Sequence, residues 1–319
     1  MSGGLARMIA VRIGLGLLTL LLISVLIFGA MGLLPGDVAE AILGQNRTPE
    51  TVAALRTQLG LDQPAWSRYL DWIGGMLTGD FGRSLASGRP VAELIGGRLV
   101  NTLSLAAYAA LISVPLSIAL GIVAALFRGR GVDRGISIGA LTAISMPDFF
   151  VAYVMIFLFA VSWGLLPSLS AVSPGGGLGE WLYRSTLPAL ALTLATSAHM
   201  LRMTRASIVN VLASPYVEMA RLKGLPPRRV VVRHALPNAL APIINVVAVN
   251  LAFLIVGVVV VETVFVYPGL GQLMVDSVAA RDVPVVQAAC LIFATAYVSL
   301  NLLADVLSIL TNPRLRTAR

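Results

Sequence analysis

The sequence predicts an all-α polytopic membrane protein with six transmembrane helices and both termini in the cytoplasm. Three observations predict it. Hydrophobic residues make up 57% of the 319 residues and charged residues only 12%, about half the charged share of a soluble domain. Six stretches each reach the roughly 20 apolar residues that a hydrocarbon core requires. The cations also alternate in density between successive connections. The composition excludes a disordered chain, a disulfide scaffold and an ordinary cytosolic enzyme. With Cys290 as its single cysteine, the chain holds neither an internal disulfide nor a multi-cysteine metal site. A net charge of +8 would suggest nucleic acid in a soluble protein. In a chain this apolar it reports orientation in lipid instead, and no nucleic-acid partner is expected.

Taken in order, residues 1–34 form a cytoplasmic N-terminus and a first span at 9–34. This run is longer than the roughly 7–15 residues of a signal-peptide core, so it is read as an uncleaved span. Residues 35–98 form an external helical segment. In it Thr48 can N-cap a helix with Pro49 at the first position and Glu50 in the first turn, and Gly60 can close it. A second piece, 64–77, interleaves Trp66, Tyr69, Leu70, Trp72, Ile73 and Leu77 with Arg68 and Asp71. It either lies flat at the bilayer interface, which Trp and Tyr prefer, or packs as part of a small cap. A third piece, 90–98, leads directly into the second span.

Residues 99–312 form a five-span core, with spans at 99–127, 135–163, 187–210, 239–262 and 286–310, followed by a cytoplasmic tail at 313–319. The N-terminus, 128–134, 202–233 and the tail carry 15 cations against Asp133 and Glu218, while the opposite connections carry eight cations and ten acids. That alternation places both termini inside.

Ionisable residues within lipid are costly and often functional. Asp148 is the most interior, directly after Pro147, and proline bends a membrane helix and frees backbone carbonyls. Ser145, Pro147 and Asp148, with Glu262 at the outer end of the fifth span, are therefore candidates for a hydrated path. The alternative for 145–149 is a kink that serves packing alone. Arg202 and Asp305 lie near the cytoplasmic ends of their spans, where they can reach the interface. A G-x-S-x-G match at Gly135–Gly139 would need a strand–turn–helix setting to act as a nucleophile elbow, but it opens an apolar helix. Small residues for helix packing explain it better. No phosphate loop or H-E-x-x-H motif occurs, so neither nucleotide nor metal chemistry is expected on this chain.

The most informative stretch is the cytoplasmic segment 211–238. Ser214 can cap a helix that begins at Pro215, and Gly224 can close it in a left-handed C′ geometry. Pro226 and Pro227 then restart the chain before Pro237. The result is a stiff basic knob tied at both ends to spans, which transmits movement where a flexible loop would absorb it. A loop that only sets topology is the plainer alternative.

These residues resemble the signature of permease subunits of ATP-binding-cassette importers. That signature is E-A-A, three residues, Gly, nine residues and x-x-Leu-Pro. Here it reads Glu218-Met219-Ala220, Gly224 and His234-Ala235-Leu236-Pro237, with Met219 in place of the usual alanine. Further segments resemble the first permease of dipeptide, oligopeptide and nickel importers. They are Leu34-Pro35-Gly36-Asp37, Leu59–Pro64, Gly79–Ser84, Arg233–Ala239, Glu262–Phe265, Pro268–Gly271, Arg281–Gln287 and Asn312-Pro313-Arg314.

The resemblance implies a type I, MetI-like permease fold in the bacterial inner membrane, with no catalysis on this chain. It implies import of di- or oligopeptides, with nickel complexes or glutathione as alternatives. The implied partners are a second permease, two ATPase domains that hold ATP and Mg, and an external peptide-binding protein. Glu218, Ala220 and Gly224 carry over from the signature as a coupling helix. Tyr216, Arg221 and Arg228 join them by charge and position. An ion-coupled secondary carrier is the rival of a different class.

Overall fold

A computed structural model describes residues 2–33, 40, 43, 48–58, 60–171 and 176–311. The Leu34–Asp37 segment, Leu59, Asn312–Arg314 and the tail lie outside the described residues. The order is α1 (Ser2–Gly32), α2 (Pro49–Gln58), α3 (Ala65–Thr78), α4 (Val91–Leu126), α5 (Gly131–Ser145), α6 (Asp148–Met155) and α7 (Leu178–Leu212). Then come α8 (Pro215–Leu222), α9 (Pro227–Arg229), α10 (Leu236–Phe265), α11 (Leu270–Ala279) and α12 (Val283–Thr311). π-helical turns extend α6 over Ile156–Ser162 and join α9 to α10 over Val230–Ala235. Among the described residues, extended pairing is limited to one isolated bridge between Arg83 and Pro90.

Five of the six predicted spans each fall on a single helix. Among the described residues, four stretches are individually long and apolar enough to cross a bilayer: Ala6–Gly32, Val91–Leu126, Pro242–Phe265 and Val283–Leu307. The third predicted span is not one helix, a correction to the continuous 135–163. It is α5 and α6 with its extension, bent by 108°, and counts as a fifth crossing only if the pair is taken together. Pro147 disfavours helical geometry at Met146, which is extended at φ −94° and ψ 132°. The chain restarts with Phe150 and Val151 donating to the Pro147 carbonyl. α7, the fourth predicted span, is diluted by Glu180, Arg184, His199, Arg202 and Arg205. By length and apolar composition the count among the described residues is therefore four or five, against the six expected.

The chain forms two compact units. One comprises Met1–Gly16, Leu103–Tyr267 and Ala296–Arg319; the other comprises Leu17–Thr102 and Pro268–Thr295. In the first, α7 packs on α10, α5 and α6. α4 approaches α7 at Gly121, where an added Cβ would lie 2.7 Å from Thr204 Cγ2 and 3.1 Å from the Leu201 carbonyl. Gly121→Val should therefore overpack this crossing and cost about 1–3 kcal/mol, read as earlier thermal unfolding in detergent. Gly139→Val, at a position with nothing within 4 Å, is the control for helix propensity alone. In the same unit Arg12 Nη1 donates to Asp305 Oδ2 at 2.8 Å, joining the beginning of α1 to the end of α12.

In the second unit the expected capping is present. Thr48 Oγ1 accepts the Thr51 amide at 3.2 Å, and Gly60 is left-handed at φ +63°. The unit's core gathers Val91, Ile95, Leu270, Leu273, Val285, Ala288 and Ala289. Its loop 84–86 is held by buried Asp282, which accepts from Ser84 Oγ at 2.5 Å and from the Leu85 amide at 3.0 Å. Asp282→Ala strands these donors, each worth about 1–3 kcal/mol when unsatisfied. Trypsin should then cut at Arg83 or Arg89 at least tenfold faster than in the parent, on the order expected when local opening is stabilised by over 1.4 kcal/mol.

Candidate functional site

Two places in the first unit gather the predicted site residues. The first is the segment between α7 and α10. α8 begins at Pro215 as expected, but Ser214 does not cap it through its side chain. Its hydroxyl donates back to the Val211 carbonyl at 2.5 Å, while its own carbonyl accepts the Val217 and Glu218 amides. The far end is closed as expected, with Gly224 at φ +76°. The Lys223 amide bonds to Met219 and the Leu225 amide to Ala220, so orphan carbonyls of the last turn are satisfied.

The two faces of α8 differ. Val217 and Ala220 are buried in a cluster with Ala125, Ile208, Leu212, Val230, Val231 and Ala235. Leu225 seals its edge. Tyr216, Glu218, Met219 and Leu222 are exposed, Leu222 to 76%. Arg228 is also exposed. Ala220, predicted alongside the contact residues, thus points into the protein and sets the packing of the knob. The side chain of Arg221 lies outside the described residues.

The knob is rooted in α7, and α7 is braced to α5 by a partly buried ion pair. Arg205 donates from Nε to Asp133 Oδ1 at 2.6 Å and from Nη2 to Oδ2 at 2.7 Å. The Gly129 amide adds a third bond to Asp133 at 2.8 Å. In the sequence both residues read only as topology charges. An acid in a connection otherwise rich in arginine was the available signal. Ser137, the serine of the G-x-S-x-G match, lies within α5 with its hydroxyl toward Asp133 at 3.5 Å, not on a strand-to-helix turn.

The second place is a cavity of about 370 Å³ between α5, α6, α7 and α10. Asp148 lines it together with Thr196, His199, Asn250 and Phe253. The bend at 146–147 carries Asp148 onto this wall, and Gly257 keeps the facing helix low, its Cβ position 3.6 Å from Asp148 Oδ2. Ser145 is exposed and its hydroxyl donates to the Leu141 carbonyl at 2.8 Å. Pro147 is exposed at the bend. Glu262 is apart from them, fully buried near the end of α10. His199 is marked in the sequence only as an ionisable residue within a span and Asn250 not at all, because the facing of α7 and α10 that puts both on this wall is a tertiary property. The lining offers one acid, one imidazole and short polar groups on an apolar wall, which suits weak, multi-point contact with a small polar solute.

The chain matches the family described as the binding-protein-dependent transport system inner membrane component over residues 117–317. It matches the corresponding N-terminal domain over residues 5–106. It is similar to the glutathione transport system permease protein GsiC of Escherichia coli K12, at 41% identity over 303 residues, covering 95% of this chain and 96% of that one. The GsiC proteins of Salmonella typhimurium LT2 and Shigella dysenteriae Sd197 are similar to the same degree, with the same coverage.

Proposed function

We propose, from the premise that the chain belongs to the family of binding-protein-dependent inner-membrane transport components and to its peptide, nickel and glutathione branch, that it forms half of an ATP-driven import pathway for short peptides, glutathione among them. A second permease completes the pathway. Two ATPase domains hold the ATP and Mg, and an external binding protein delivers the substrate. The chain crosses the inner membrane six times, with α7 as the fourth crossing and both termini inside. The Arg12–Asp305 pair supports termini on one side, and the split of 15 cations from eight supports that side as the cytoplasm.

The observation that carries this reading is the two-faced α8. Val217 and Ala220 fasten it to the core shared with α7 and α10, while Tyr216, Glu218, Met219 and Leu222 stay open. A short helix fixed in this way moves as one body with the spans. A push by ATPase subunits on the open face would therefore repack the walls of the cavity, a rigid-body switch between access states.

In a Cys290→Ser background, Leu222→Cys labelled with a maleimide-linked benzophenone should photocross-link to an ATPase subunit in the assembled complex, and Val217→Cys should not. A Leu222→Cys chain that gives no cross-link and stays freely open to maleimide in an ATP-hydrolysing complex would contradict the docking role.

A further inference from the structure

α3 has two apolar faces, and the described residues cover only one. At about 100° per residue, Tyr69, Trp72 and Met76 share one side. Tyr69 and Trp72 meet the Phe28 ring of α1 at centroid distances of 5.5 and 5.9 Å. The Tyr69 and Ser24 hydroxyls are 2.8 Å apart, and Met76 packs against the core beneath. Trp66, Leu70, Ile73 and Leu77 fall within an arc of about 60°, roughly a quarter-turn away on the same helical repeat. Trp66, Leu70 and Leu77 are exposed to 68%, 56% and 83%. Ser67, Asp71 and Thr78 occupy a third, polar side.

We propose that the Trp66–Leu70–Ile73–Leu77 stripe is seated in the interfacial region of the outer leaflet, making α3 a peripheral anchor that holds the external segment flat on the bilayer. The occupant is phospholipid, for three reasons. α3 is docked on α1, whose residues Leu21, Leu22, Val25, Leu26 and Leu33 are all exposed, so the stripe lies on a helix attached to an apolar segment long enough to cross a bilayer. Trp66 leads the stripe, and tryptophan favours the water–lipid boundary. The helix carries one cation and one anion, Arg68 and Asp71, so seating depends on apolar area and not on lipid charge. The polar side then faces water. This inference needs only the membrane-spanning assignment and stands apart from the transport reading.

The test uses the full-length chain with Cys290→Ser and single cysteines at the exposed positions Leu70, Leu77 or Thr78, or at the half-buried Ser67. Each is labelled with a nitroxide and reconstituted in phosphatidylcholine vesicles with or without added phosphatidylglycerol. Labels at 70 and 77 should show a ratio of oxygen to nickel-chelate accessibility several-fold above that of labels at 67 and 78. The ratios should not change with phosphatidylglycerol or when the other importer subunits are added. Chelate accessibility at 70 and 77 equal to that at 67 and 78 would overturn the proposal. So would loss of both reagents at 70 and 77 once the other subunits are present, which would show a protein-covered face. Because uptake plays no part in the readout, failure here leaves the transport reading intact.

Discussion

Arg205→Met should destabilise the chain by about 3 kcal/mol, the scale of stranding one member of a buried ion pair. Asp133 is 4% exposed and takes two bonds from Arg205 and one from Gly129. Removing the guanidinium leaves a carboxylate away from water with only the Gly129 amide and the more distant Ser137 hydroxyl as donors. The Arg205 side chain is 28% exposed, which puts the cost toward the lower end of the range. Asp133→Leu combined with Arg205→Met removes both charges and should recover part of the loss, because the desolvation burden goes with them. Thermal unfolding in detergent reads both variants. An unchanged midpoint for Arg205→Met, or a double variant as damaged as the sum of the singles, would show that the pair does not brace α5 to α7.

Gly224→Pro should reduce ATP-driven uptake by about tenfold or more while the chain still inserts in the membrane. Gly224 has φ +76°, whereas proline holds φ near −65°. The Leu225 amide could then no longer close the last turn on Ala220, and Leu225 would leave the edge of the core. The knob would lose its fixed direction. Gly224→Asn is the informative companion, since asparagine tolerates the left-handed region and should retain most of the uptake. Glu218→Arg alters the exposed face without touching the core and should also abolish coupling. Uptake in membrane vesicles, normalised to inserted protein, separates these outcomes. Parent-level uptake by Gly224→Pro would remove the coupling role from α8.

Much of the fold is legible in the sequence because its signals are local. Thr48, Pro49 and Gly60 bracket α2, Pro215 and Gly224 bracket α8, and each apolar run marks a helix. The rest depends on contacts made over long separations. Pro147 announces a bend, but its 108° magnitude depends on how α6 settles between α7 and α10. α7 extends nine residues upstream of its expected start, to Leu178, where Glu180 and Arg184 pair one turn apart at 2.9 Å and carry the helix past its apolar stretch. Asp133 and Arg205 are 72 positions apart, and Asp282 and Ser84 are 198 apart, so neither pairing has a local signature.

The candidate site divides in the same way. Spacing identified the segment that holds α8, and only the packing assigns Ala220 to its inner face and Tyr216 and Leu222 to its outer one. Asp148 was identified by its chemistry, while its neighbours His199 and Asn250 come from helices whose rotation no local pattern fixes. The burial of Glu262, a carboxylate near the end of an apolar helix, is likewise decided by what surrounds it.

The most direct test of the central claim is uptake of labelled glutathione and labelled dipeptides by proteoliposomes that hold this chain with its second permease, ATPase subunits and binding protein. At least one of these solutes should accumulate in a manner that requires internal ATP and ceases when the ATPase subunits are omitted. Accumulation driven by an ion gradient in vesicles that hold this chain without the ATPases would contradict that claim.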